Sequence, residues 1–261
     1  MVRVFLVLPD VSEAKCRAIC LAGPLDVLVS YTTLKWKPST LARLLALRRR
    51  GCLSSVMLDS GAYHLARLGA RVDPREYAAD SRSGLGPAWD LVVAPDVPGD
   101  PEATLERTLE FIQSYGAPFL PVAQPPPGPA DPRRHALEAE RLVSRGLLEW
   151  SPRLPGGRRL LGLGGLDGPR RRVSYIAGLL EEVESRLGGV SLHLFGVGAR
   201  ILAGLARRGL LGLVYSVDSS GWLAEIRFRR RTHYRAPGVV EANAAAMKGY
   251  LARLARVLGG G

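Results

Sequence analysis

Lysine is nearly missing from this strongly basic chain. It occurs only at positions 15, 35, 37 and 248, so arginine supplies all but four of the 36 basic residues behind a formal net charge of +12. Such a charge points to a polyanionic partner, because Lys and Arg displace counterions from phosphates; the arginine skew with abundant Leu, Gly and Ala also matches GC-rich coding. Cysteine is scarce as well. Cys16, Cys20 and Cys52 form an odd, small set that argues against a disulfide framework. No second Cys or His pair stands at zinc-site spacing, so no metal is expected. Long apolar runs are missing: the longest uncharged stretch, about residues 111–130, is interrupted by "PVAQPPPGPA", which excludes a membrane span. The start, "MVRVFLVLPD", has neither the apolar length nor the cleavage site of a signal peptide. A cytoplasmic protein is the expectation. There is no G-x-G-x-x-G after the first strand, no internal repeat and no linker, which argues against a dinucleotide fold and for a single domain.

What is present describes a folded globule, 47% apolar and 23% charged over 261 residues. Short apolar runs read as strands at 2–8, 25–31, 54–59, 90–96, 118–124, 159–165, 190–198, 210–218 and, more weakly, 223–229. Amphipathic stretches at 39–50, 101–115, 131–146, 170–187, 199–208 and 238–258 read as helices. Strands apolar on both faces, alternating with helices, are the pattern of a parallel sheet. About eight of them predict an α/β protein of the (β/α)8 TIM-barrel class, one domain over 1–261, with an N-terminal extra strand and a C-terminal helix. Asp100 and Asp131, each followed by proline, read as helix N-caps.

In such barrels the functional residues lie at the C-terminal strand ends. Here those ends carry Asp59-Ser60, Asp96, Gln124, Gly164-Gly165, Gly196, Gly198 and Asp218. Helix capping explains any one of the aspartates and explains all three together poorly. Two carboxylates facing one substrate divide the labour of nucleophile and proton carrier, as in retaining glycosyl transfer. Glycines admit close backbone approach to a flat ring, and a glutamine offers both a donor and an acceptor.

Six segments in order, "MLDSGAYH" (57–64), "DLVVAPDVPGD" (90–100), "PVAQ" (121–124), "LGLGGL" (161–166), "HLFGVG" (193–198) and "VYSVDS" (214–219), resemble the tRNA-guanine transglycosylase superfamily. The resemblance implies a cofactor-free pentosyltransferase barrel that exchanges guanine in nucleic acid for a 7-deazaguanine base. It implies Asp218 as the nucleophile at the ribosyl C1′ and Asp59 as general acid/base. It implies Ser60, Tyr63, Asp96, Gln124, Gly164 and Gly165 around the base. The chain departs in reading "GAYH" where the tRNA enzymes read G-G-F-Q, and in lacking their zinc cluster, since no cysteine follows Cys52. It is more similar to a divergent, zinc-free branch that includes DNA-acting enzymes, so tRNA or DNA is the expected partner, with a homodimer possible. The alternatives are an inactive nucleic-acid-binding or partner subunit, and an unrelated barrel enzyme such as a glycosidase or aldolase.

"IRFRRRTHYRAPG" (226–238) interleaves Arg229, Arg230 and Arg231 with Phe228, His233 and Tyr234, a composition that grips phosphates and stacks on bases. Arg170 and Arg171 form a second candidate contact. Arg48–Arg50 at a helix end reads as structural. Trp222 and His193 read as core.

Overall fold

The computed structural model describes residues 2–37, 39–83, 88–232 and 238–259; the side chains of residue 83 and of residues 227–232 lie outside that description. Eight parallel strands are β1 (Arg3–Leu8), β2 (Leu25–Ser30), β3 (Leu53–Asp59), β4 (Leu91–Val92), β5 (Val122–Ala123), β6 (Leu160–Leu163), β7 (Ser191–Leu194) and β8 (Val214–Ser219). Their order is β4-β3-β2-β1-β8-β7-β6-β5. A single parallel bridge between Val93 and Leu120 joins the two edges, with Leu120 N–H donating to Val92 C=O at 2.8 Å and Ala94 N–H to Leu120 C=O at 2.9 Å. The fold is a single-domain (β/α)8 barrel.

Eleven helices surround the described strands: α1 (Glu13–Ala22), α2 (Tyr31–Trp36), α3 (Ser39–Arg49), α4 (Ala62–Arg67), α5 (Pro74–Ser83), α6 (Pro101–Tyr115), α7 (Pro132–Ser144), α8 (Val173–Leu187), α9 (Ala199–Ala206), α10 (Gly221–Thr232) and α11 (Val239–Gly259). The caps at α6 and α7 form as expected, Asp100 accepting from Ala103 N–H at 3.0 Å and Asp131 from Arg133 N–H at 2.9 Å. Of the described helices, none is long and apolar enough to cross a membrane.

Three expectations need correction. The N-terminal strand is not an addition: β1 pairs with both β2 and β8 and is part of the ring. The stretch 223–229 lies in α10, because β8 already has a partner on each edge and a ninth strand has nowhere to pair. Cys20 and Cys52 are joined in a disulfide, leaving Cys16 free. Thirty-two residues separate them, and only the packing of α1 beside the turn before β3 brings them together.

The interior is layered. At the N-terminal end Arg3 pairs with Asp26 at 2.7 Å. Above it Phe5, Leu28, Met57, Val93, Leu120, Val122 and Leu160 fill the barrel. Residues two apart share a strand face, so Asp59 stands one step above Met57 at the mouth. The larger core lies between strands and helices and includes Trp222, fully buried, whose indole N–H donates to Val7 C=O at 3.0 Å. Trp222 therefore clamps α10 to β1. Replacing it with Phe strands that carbonyl and leaves a void, so Trp222→Phe should lower unfolding free energy by about 1–3 kcal/mol in a denaturant titration.

Candidate active site

Three carboxylates reach the C-terminal mouth from different strands. Asp59 ends β3, Asp96 follows β4, and Asp218 lies near the end of β8. Asp59 and Asp96 are half-buried: each can be reached from the mouth, yet packed protein replaces most of its water. That loss of solvation is the main reason the Asp59 carboxyl is raised to about 7, and the neighbouring charges of Asp96 and Asp218 add to it. The Gly61 N–H, donating to Asp59 at 2.9 Å, opposes the rise. Burial also lifts Asp96, and the hydroxyl of Ser60 (3.1 Å) and the Gln124 amide, both donating to it, hold that rise back.

Gln124 is thus engaged by Asp96, and the glycines beside it serve that contact. A Cβ on Gly164 would stand 2.2 Å from Gln124 Nε2, and one on Gly165, at φ +60°, 2.5 Å from Pro125 Cδ. The two glycines are packed against Gln124 and Pro125.

Asp218 is buried and accepts a hydrogen bond from Gly196 N–H at 2.9 Å. Sequence reasoning placed His193 in the core, which is right for burial and incomplete for chemistry. A register shift after Leu192 pairs His193 with Ser216, two residues before Asp218 on the same face. The imidazole Nδ1 meets Ser216 Oγ at 2.8 Å, and Nε2 lies 3.4 Å from Asp218 Oδ1. Nε2 has no hydrogen-bond partner of good geometry, so this is a close approach and not a hydrogen bond. A Ser216 hydroxyl that donates to Nδ1 selects the tautomer whose Nε2–H faces the carboxylate. A polar residue inside an apolar strand, "SLHLF", was the available signal.

Other candidates fall elsewhere. Ser60 is buried against Asp96, whereas Tyr63 is exposed on α4. Arg170 donates to the carbonyls of Pro126 and Gly128, each at 3.3 Å, and so fastens the proline-rich loop; Arg171 is exposed. The side chains of Arg229, Arg230 and Arg231, along with Phe228, His233 and Tyr234, lie outside the described residues. Among the described residues no group of three or more His, Cys, Asp or Glu converges to hold a metal ion.

No protein-family model matches the chain, and no curated protein matches it. Solved structures do. A protein assigned as a fructose-1,6-biphosphate aldolase from Coccidioides immitis aligns with a TM-score of 0.55 at 16% identity, over 97% of this chain and 91% of its own. The YdjI aldolase from Escherichia coli K12 aligns with a TM-score of 0.54 at 11% identity, over 99% and 91%. The likeness is one of fold. It overturns the transglycosylase reading: the structures sharing this architecture along nearly the whole chain are described as aldolases, and no comparison supplies a relation to guanine exchange. Guanine exchange, the pentosyltransferase class and the 7-deazaguanine substrate are withdrawn with it. The physical reason lies in the landmarks themselves. Each is an apolar run closing on Asp, Gln or Gly at a strand end, and strand order alone places such runs in sequence around any barrel mouth.

Two outcomes follow. Folded Asp59 keeps its proton to about pH 7, whereas an unstructured aspartate releases it near 3.8. Across that window the unfolded state binds fewer protons, so this carboxyl's contribution is present at low pH and lost as pH rises. Asp59→Asn should therefore remove that loss, raising stability at pH 8 by on the order of 4 kcal/mol relative to wild type with little change at pH 4, in melts across pH. Gly164→Ala should cost about 1–3 kcal/mol by forcing Gln124 away, and should cost less in a Gln124→Ala background, as a double-mutant cycle in denaturant will read.

Proposed function

We propose that the barrel mouth is a general acid–base centre of an aldolase-type enzyme, one that makes or breaks a carbon–carbon bond beside the carbonyl of a small polar substrate. The observation that carries this reading is Asp59: a carboxyl raised to about 7 by burial and by Asp96 and Asp218, at the end of a barrel strand. A group titrating near neutrality can both give and take a proton at working pH.

In the cleavage direction the Asp218 carboxylate accepts the proton of the β-hydroxyl. The bond between the α and β carbons breaks as the β carbon becomes an aldehyde. Its electron pair passes into the enolate, and Asp59 returns a proton to the α carbon. Asp218 takes the base role because Gly196 N–H holds its oxygen at the mouth, with the His193 ring beside it. Asp96, tied by Ser60 and Gln124, orients the substrate and loads Asp59.

The chain's lysines do not favour an imine route. Lys15 is paired with Asp10, Lys35 with Glu76 at 2.6 Å, and Lys37 and Lys248 are exposed; none pairs with the mouth carboxylates. The fold likeness to two aldolases supports the reaction class, as does the convergence of proton-carrying groups.

A panel of hydroxy-carbonyl compounds, with and without phosphate, can be assayed for aldehyde release. Wild type should cleave a member of the panel, and Asp59→Asn should lower kcat about 10²–10⁴-fold. The kcat profile should fall above about pH 7 as Asp59 loses its proton. Aldehyde release that is equal in wild type and Asp59→Asn, or absent across the panel, overturns the assignment.

A further inference from the structure

A second cavity opens directly beside this mouth. It measures about 270 Å³ and is lined by Ala62 and Ala66 of α4, the loop Gly69–Val72, Asp96–Pro98 after β4, and Arg107 of α6. Asp96 belongs both to this cavity and to the carboxylate cluster, so the two spaces share a wall. Its lining also includes two arginines, Arg71 and Arg107.

Arg3, Arg48, Arg75, Arg141, Arg159, Arg186 and Arg253 each have a carboxylate partner. Among the described residues Arg71 and Arg107 have none. Arg107 is half-buried, and one of its nitrogens donates to Val72 C=O. That bond holds the planar group in place and leaves its other donors for a ligand. Asp73 is close enough to feel Arg107, but it is exposed and spends its carboxylate on the N–H groups of Arg75 and Glu76, at 2.9 and 3.0 Å. The small residues Ala62, Ala66, Gly69 and Ala70 leave the space open between the charges.

We propose that this cavity binds an oxyanion, the phosphoryl or carboxylate end of the substrate, with Arg71 and Arg107 as its recognition pair. This rests on the aldolase-type reading for its link to turnover and on the cavity alone for binding. An anion held there leaves the rest of a small molecule to run past Asp96 toward Asp59. Repulsion by Asp96 keeps the anion at the arginine end and the uncharged, reacting end at the mouth. The substrate class is therefore a small hydroxy-carbonyl compound carrying one terminal negative group. Two arginines suit it because a planar guanidinium meets either oxyanion through paired N–H donors.

Calorimetric titration of the intact protein at low ionic strength tests the site without turnover, using inorganic phosphate in one arm and acetate in the other. The expected result is saturable one-to-one binding, with a dissociation constant of order 1 mM, in one arm at least. The arm that binds more tightly identifies the anion. Arg71→Gln, on an exposed side chain that the fold does not need, should weaken binding about tenfold, and adding Arg107→Gln should abolish it. Arg107→Lys keeps the charge and should recover part of the affinity. Arg200→Gln, at an exposed position of α9 outside the cavity lining, should change nothing. No saturable binding of either anion, or binding indifferent to Arg71→Gln and to the double variant, overturns the proposal. Binding that behaves as expected while no compound is cleaved retains the anion site and rejects only the aldolase-type reading.

Discussion

Closure of the parallel ring is the constraint on which the rest depends. β4 and β5 are two residues each, and a single bridge, Val93 to Leu120, completes the circle. Tyr77 helps hold this weak quarter, its hydroxyl donating to Val93 C=O at 2.9 Å. Without closure, Asp59 and Asp96 on one arc and Gln124 and Asp218 on the other would have no reason to share a space. A ring also leaves no free edge, which is why the stretch after β8 becomes helix.

The mouth then shows how one set of identical side chains acquires different properties. Asp59, Asp96 and Asp218 have the same chemistry in isolation. In the barrel Asp59 has backbone donors and two acidic neighbours, Asp96 has two side-chain donors, and Asp218 has a backbone donor and a buried imidazole beside it. The proposed division into acid and base rests on these partners. The cavity lined by Arg71 and Arg107, proposed as an anion site, adds two cationic side chains beside the carboxylates.

Much of the fold was legible. Eight of the nine strand candidates coincide with β1–β8, and α3, α6, α7, α8, α9 and α11 fall within a few residues of their expected bounds, because double-sided burial and 3.6-residue periodicity mark them plainly, whereas α1 and α5 had no counterpart and part of α10 was read as a strand. α2 and α4, at six residues, are too short to show a period. The polar strand ends were equally legible, which is why Asp59, Asp96, Gln124 and Asp218 could be named in advance. The same legibility misled. Strand ends of any barrel recur in order, and six such segments read as a lineage that the comparisons do not support.

The sequence by itself determined the alternation of strands and helices, and with it the barrel and the residues at its rim, since hydrophobic period and strand order are local facts. Tertiary structure alone decided the rest. It set the near-neutral Asp59, the register shift that turns His193 toward Asp218, the Cys20–Cys52 link and the unpaired arginines beside Asp96. Each depends on groups far apart in the chain meeting at a few ångströms in poorly solvated space. Spacing along the sequence carries no record of such distances.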